Sequence, residues 1–174
     1  SKKDDHPFGG VKDWVEATDK TSAAFDFPMK YLIKGAFGDG NWKLLAKNLT
    51  STLVGIEPQY AVTFIDNHDT GEPHNNPDPL RANVEAANAY ILAMPGTPCV
   101  FINHWNTFKT AIKKMIFVRK KAGIANTSEI VEKGLKDSGY YVKVKGDNGS
   151  VVLLLGNVES YSTVGYKLAT EGPL

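Results

Sequence analysis

The sequence predicts an α/β chain in two parts: strand–helix units on a parallel sheet, then an antiparallel β tail. Three observations carry this. Residues 60–65, Tyr-Ala-Val-Thr-Phe-Ile, form an uncharged β-branched and aromatic run without polar alternation, as expected of a strand buried on both faces of a parallel sheet. Leu80, Val84, Ala87 and Ile91 recur at helical spacing immediately after it, and a second apolar run, 97–102, begins a few residues later. From Gly139 onward the period changes to two: residues 140–145, the turn Asp147-Asn148-Gly149 and residues 151–155 read as a hairpin.

The elements follow in order. Residues 23–27 are a short strand stopped by Pro28, which suits the first turn of a helix running on through Met29 and Ile33. Asp26 either caps that helix or ends the strand. Residues 43–49 form a second helical piece. After the strand at 60–65 comes a polar loop, then a helix over 80–94 that starts at Asp78 or Pro79 and stops at Pro95-Gly96. The strand at 97–102 leads to a helix over 108–121, capped by Thr107, with Phe108, Ile112, Met115 and Ile116 on one face. Arg119, Lys120 and Lys121 occupy its last turn, where cations complement the helix dipole, and Gly123 closes it. Residues 161–169 add a further strand to the tail, and the boundary between the two parts lies within 124–136.

The chain has 174 residues, with 20 Lys plus Arg against 19 Asp plus Glu. A net charge of +1 argues against nucleic-acid binding through a basic face. The single cysteine, Cys99, excludes an internal disulfide and a multi-cysteine zinc site, and reads as a small core residue of a buried strand. No run of about 18 apolar residues is present to span a membrane. The charged N-terminus has no apolar stretch after it and is not a secretory signal, so any export signal lies outside this sequence. Three βα units do not complete a domain: a closed (β/α)8 barrel takes about 250 residues, and a three-strand piece leaves two unpaired edges. The chain therefore reads as a fragment.

The chemistry sits after the second strand. Phe64-Ile65-Asp66-Asn67-His68-Asp69-Thr70-Gly71 brings two carboxylates, an amide and an imidazole to the carboxyl end of a buried parallel strand, where ligands bind in α/β folds. A continued pleat puts Asp66 and His68 on one side, with Asp69 on the other or in the loop. Two alternatives stand beside a binding role. In one, the carboxylates cap the following turn and His68 bonds to a carbonyl. In the other, Asp66, His68, Asp69 or His74 ligate a metal, which a single strand cannot bring about for all four. Trp105 follows His104 on the same face and is a candidate for stacking on a ligand, as is His74 for lining the site. Trp14 and Trp42 read as packing residues.

These residues carry a resemblance. Residues 64–69 resemble the fourth short motif of the α-amylase family of glycoside hydrolases, which ends the seventh barrel strand. Ala24-Phe25-Asp26-Phe27-Pro28 resembles the sixth strand of that family, and residues 93–101 the approach to its eighth. Residues 119–124 resemble the end of the last barrel helix, and the β tail the start of the C-terminal β domain. Asn103-His104 resembles the stretch after the eighth strand in starch-cleaving members.

The resemblance implies barrel units six to eight in residues 1–124 and part of an all-β domain in 125–174. It implies a retaining mechanism on internal α-1,4 bonds of starch-type glucans, with an oxocarbenium-like transition state. It assigns Asp69 to the acid that grips sugar hydroxyls at the cleavage subsite, His68 to the same sugar, and Asp66 and Asn67 to supporting positions. Calcium is implied for the parent protein, with ligands outside this chain, as is a missing N-terminal barrel segment and an extracellular or periplasmic location. The nucleophile and acid motifs of the family are absent: the sequence has no Gly-x-Arg-x-Asp and no Gly-Glu after an apolar run. A relative acting on other α-glucosides, a transglycosidase and a non-catalytic carbohydrate-binding remnant are the alternatives.

Overall fold

The computed structural model describes residues 10–71 and 78–172. The first part begins with α1, Gly10–Ala17, which presses Val15 inward. Strand β1, Ala24–Phe25, is only two residues long. It gives way to α2, Phe27–Gly38, because Pro28 sits in the first turn and Asp26 takes up the first backbone donors: its Oδ1 accepts from Met29 N at 3.0 Å. The other oxygen accepts from Val54 N at 2.7 Å, so one buried carboxylate pins two segments. Burial nevertheless raises its pKa, the backbone donors opposing that shift.

Two short helices follow, α3 (Lys43–Asn48) and α4 (Leu53–Ile56). Thr52 caps α4 by accepting from Gly55 N. Then come β2 (Ala61–Phe64), α5 (Val84–Ala93), β3 (Thr97–Cys99) and α6 (Ile102–Ala122). The three strands form a parallel sheet in the order β1-β2-β3, with Ala24 opposite Ala61 and Val62 opposite Thr97. Ala61, Thr63 and Ile65 lie on the helix-covered face. On the opposite face Phe64 meets Phe25 and Phe27 edge-on, at ring-centroid distances of 5.3 and 5.1 Å. The ends of the sheet are open: Phe25 is 47% exposed and Cys99 is exposed. The expected core position for Cys99 is thus corrected, since no strand lies beside β3 on its far edge among the described residues.

Helix boundaries depart from expectation at two places. Asn83 takes a left-handed conformation (φ 54°), which asparagine tolerates, so α5 starts at Val84 and not at Asp78 or Pro79. Helix α6 starts at Ile102. Thr107 lies inside it and its hydroxyl donates to Asn103 O at 2.9 Å; the non-helical backbone of Phe108 (φ −112°, ψ 26°) marks a kink where the expected cap would be. Gly123 ends α6 as expected, with φ 72° and its N–H donating to Arg119 and Lys120 carbonyls.

The second part is an antiparallel sheet of β4 (Glu129–Lys136), β5 (Gly139–Gly146) and β6 (Gly149–Leu155). The hairpin turns at Asp147-Asn148, with Gly146 opposite Gly149. Residues 161–169 form no strand, a second correction; Tyr161, half-buried, lies against Tyr141 instead (4.7 Å between centroids). Along β5 the alternation is clean: Tyr140, Val142 and Val144 are fully buried and join a core shared with Ile33, Phe37, Tyr90 and Ile112. Tyr90 meets Tyr140 edge-on at 6.2 Å, and burial pushes the Tyr140 hydroxyl up to about 12.

Arg119 holds the turn between α5 and β3. Its guanidinium donates to the carbonyls of Leu92, Met94 and Gly96 at 2.9, 2.6 and 2.9 Å, satisfying groups that a helix C-terminus leaves unpaired. Replacing it by leucine strands these carbonyls, and a loss of about 3 kcal/mol is expected in urea unfolding of the chain. A change below about 0.5 kcal/mol would contradict that role.

Candidate functional site

The sheet delivers its polar cluster at the carboxyl end of β2. Strand pairing stops at Phe64, so the pleat does not extend through residues 66–68. Asp66 and His68 consequently part company: Asp66 is 2% exposed, whereas the His68 side chain is 87% exposed. The Asp69 side chain is 65% exposed, with His68 Nε2 3.4 Å from its Oδ1.

Asn67 shapes the turn that presents this pair. Its Oδ1 accepts from Asp69 N and Thr70 N, both at 3.0 Å, and its carbonyl accepts from Gly71 N at 2.7 Å. This is an asparagine turn, in which the side chain supplies the acceptor a helical backbone would otherwise provide. Gly71 is required by close approach: a Cβ there would stand 2.4 Å from the Phe101 ring.

Beneath the turn lies a buried charged group. Asp66 Oδ2 accepts from Leu80 N at 3.1 Å and lies 3.3 Å from His104 Nε2; Oδ1 accepts from Thr70 Oγ1 at 3.2 Å and lies 3.9 Å from Lys30 Nζ. Lys30 is 1% exposed, and burial draws its pKa down against the pull of the Asp66 carboxylate. Its Nζ also reaches Asp78 O at 3.5 Å, while Lys34 pairs with the Asp78 carboxylate.

The structure thus brings together Asp66 with His104 and Lys30, a grouping that sequence spacing did not reveal. The available signal was Lys30 itself, a cation between Met29 and Leu32 on the buried face of α2, whereas Lys34 lies on the more exposed side. His74 lies outside the described residues. Trp42 is buried against Phe37, Trp14 is 51% exposed, and Trp105 is half-buried beneath Lys109 Nζ at 5.8 Å. Among the described residues no three histidine, cysteine or acidic side chains are grouped to hold a metal ion.

The chain is 35% identical over 168 residues to the probable α-amylase 2 of Arabidopsis thaliana, an alignment covering 91% of the chain and 39% of that protein. It is 32% identical over 131 residues to α-amylase 3, chloroplastic, of the same plant, covering 73% of the chain and 15% of the relative. The chain belongs to the α-amylase family. A third relative is the glucan 1,4-α-maltotetraohydrolase of Stutzerimonas stutzeri, 33% identical over 161 residues, with 84% of the chain and 27% of that protein covered. The chain therefore spans about two fifths of the first of these relatives and less of the others. No protein-family profile matches it.

The arrangement has a clear chemical capacity. Two exposed polar groups, His68 and Asp69, project from a turn whose base is tied down by buried hydrogen bonds. Such a pair can donate to and accept from vicinal hydroxyls of a ligand, on a backbone that is already held.

Proposed function

We propose that this chain carries the sugar-gripping part of a retaining hydrolase of α-1,4-glucans such as starch and maltooligosaccharides. The observation that supports this most is the exposed His68–Asp69 pair, held on a braced turn at the carboxyl edge of a parallel sheet. The printed names of the relatives, α-amylases and a maltotetraohydrolase, supply the substrate class.

In this reading residues 1–124 are the last three units of a (β/α)8 barrel and residues 125–174 belong to an all-β domain. The open sheet ends at Phe25 and Cys99 favour a barrel completed by an N-terminal segment. That segment would supply the nucleophile, which attacks the anomeric carbon, and the acid, which protonates the leaving oxygen. Asp69 would accept hydrogen bonds from sugar hydroxyls, tightening as the ring flattens toward the oxocarbenium-like transition state, and His68 would bind the same sugar. Calcium is proposed for the parent with ligands outside this chain; the described residues do not supply a site for it, and no step here depends on it. An extracellular or periplasmic location follows from the polymeric substrate, although one relative is named chloroplastic. No helix among the described residues is long and apolar enough to cross a membrane.

The alternative is a glucan-binding remnant without catalysis. The deciding experiment is proton NMR of maltooligosaccharide cleavage by the full-length protein. A retaining hydrolase releases the α-anomer first. Initial β-anomer defeats the retaining mechanism, and binding without cleavage establishes the remnant.

A further inference from the structure

Four polar side chains from four elements meet under the presenting turn. Lys30 comes from α2, Asp66 from the end of β2, Asn88 from α5 and His104 from the first turn of α6. All are buried. Asp66 occupies the centre, with both oxygens engaged: Leu80 N and His104 Nε2 on one, Thr70 Oγ1 and Lys30 on the other. On the far side of the imidazole, Asn88 Nδ2 lies 3.5 Å from Nδ1 and donates to Val84 O at 2.8 Å. Phe101 stacks edge-on against the same imidazole at 5.5 Å, and it is the ring that Gly71 accommodates. The loop after β2 is thus joined twice to the segment that follows β3, once by Asp66 to His104 of α6 and once by Gly71 to Phe101.

A buried carboxylate this closely surrounded costs desolvation that a surface loop does not require for its own sake. Its bonds to Thr70 and Leu80 close the base of the loop, and Asp78 N donating to Thr70 O adds a third tie. Asp69 is the next residue to Thr70. We propose that His104 is a positioning residue: through Asp66 it fixes the turn that presents Asp69, so that the first turn of α6 sets the aim of a group on the loop after β2. The proposal rests on the reading of Asp69 as a sugar-gripping group. It adds a residue that touches no sugar to the set on which rate depends.

The test has two arms. In the first, hydrogen exchange by mass spectrometry is followed in peptides containing Asp69, Thr70 and Leu80, with β5 and β6 peptides as internal reference. His104→Leu is expected to speed exchange in the first group by at least about tenfold, with the reference unchanged. His104→Gln, whose amide can still donate toward Asp66, is expected to restore protection. If the leucine variant does not fold, His104→Asn, polar but too short to reach, carries the same comparison. Unchanged protection at Thr70 and Leu80 in a folded variant lacking the bond overturns the proposal.

In the second arm, the full-length protein is assayed on soluble starch. His104→Leu should lower kcat at least about tenfold with KM within about threefold and the melting temperature little changed, and His104→Gln should recover most of it. Equal losses in both variants, or a loss confined to KM, overturn the positioning role. A wild-type protein without starch hydrolysis defeats the functional reading and the kinetic half of the proposal. The exchange result then decides the anchoring half alone.

Discussion

Replacing Asp69 by asparagine in the full-length protein is expected to lower kcat on soluble starch by at least about a hundredfold, with KM close to wild type. The reasoning starts from exposure and bracing. The Asp69 carboxylate faces solvent, while its backbone N–H is engaged by Asn67, so the side chain is free for a ligand yet the main chain is held. A hydroxyl donating to a carboxylate forms a stronger bond than one donating to an amide, and the difference grows as the sugar acquires positive charge. The substitution keeps size and shape, so packing is not disturbed. His68→Ala should be milder and should appear partly in KM, because an imidazole bonding to the ground-state sugar contributes to uniform binding. An Asp69→Asn protein that retains near-full kcat would remove Asp69 from the site.

The second large effect is a complete one: the 174-residue chain alone should release no reducing sugar from soluble starch above an Asp69→Asn control. A retaining reaction needs a carboxylate to form the glycosyl intermediate and a second group to protonate the leaving oxygen. Neither family motif occurs in this sequence. Asp66, the other carboxylate of the same motif, is 2% exposed and already occupied by four partners. Asp69 with His68 can hold a sugar but has no partner across the scissile bond, and losing the members of a catalytic unit leaves little for the remainder to do. Robust activity in the chain that disappears in the control would show that the reaction runs on other groups.

The fold and the site were readable to different depths, for physical reasons. Strand β2 announces itself because Ala61, Phe64 and Ile65 are buried from both sides and the segment carries no charge. The β5–β6 hairpin does so because Tyr140, Val142 and Val144 alternate against outward lysines. Strand β4 is legible only as a boundary region: Glu129, Glu132, Lys133 and Lys136 dilute the pattern, and the strand is held by pairing with β5 more than by its own burial. Residues 161–169 carry enough apolar side chains to resemble a strand but find no partner edge among the described residues; Val164 and Leu168 remain 89% and 78% exposed. At the site, the exposed pair His68–Asp69 follows from a local motif. The Lys30–Asp66–His104 grouping does not, because its members are separated by 36 and 38 residues and converge only when α2, the end of β2 and the first turn of α6 pack together.

The Tyr90–Tyr140 contact has a consequence for where this chain can be divided. Tyr90 comes from α5, Tyr140 from β5, and neither exposes any surface. Around them Ile112, Val142, Val144 and Leu155 belong to the same continuous core. A cut near residue 124 follows a change in sequence pattern, yet it passes through shared apolar packing with no flexible tether between autonomous bodies. Each half, taken alone, would present a freshly exposed oily wall to water. The two parts are expected to unfold as one cooperative unit, heat or denaturant melting them together.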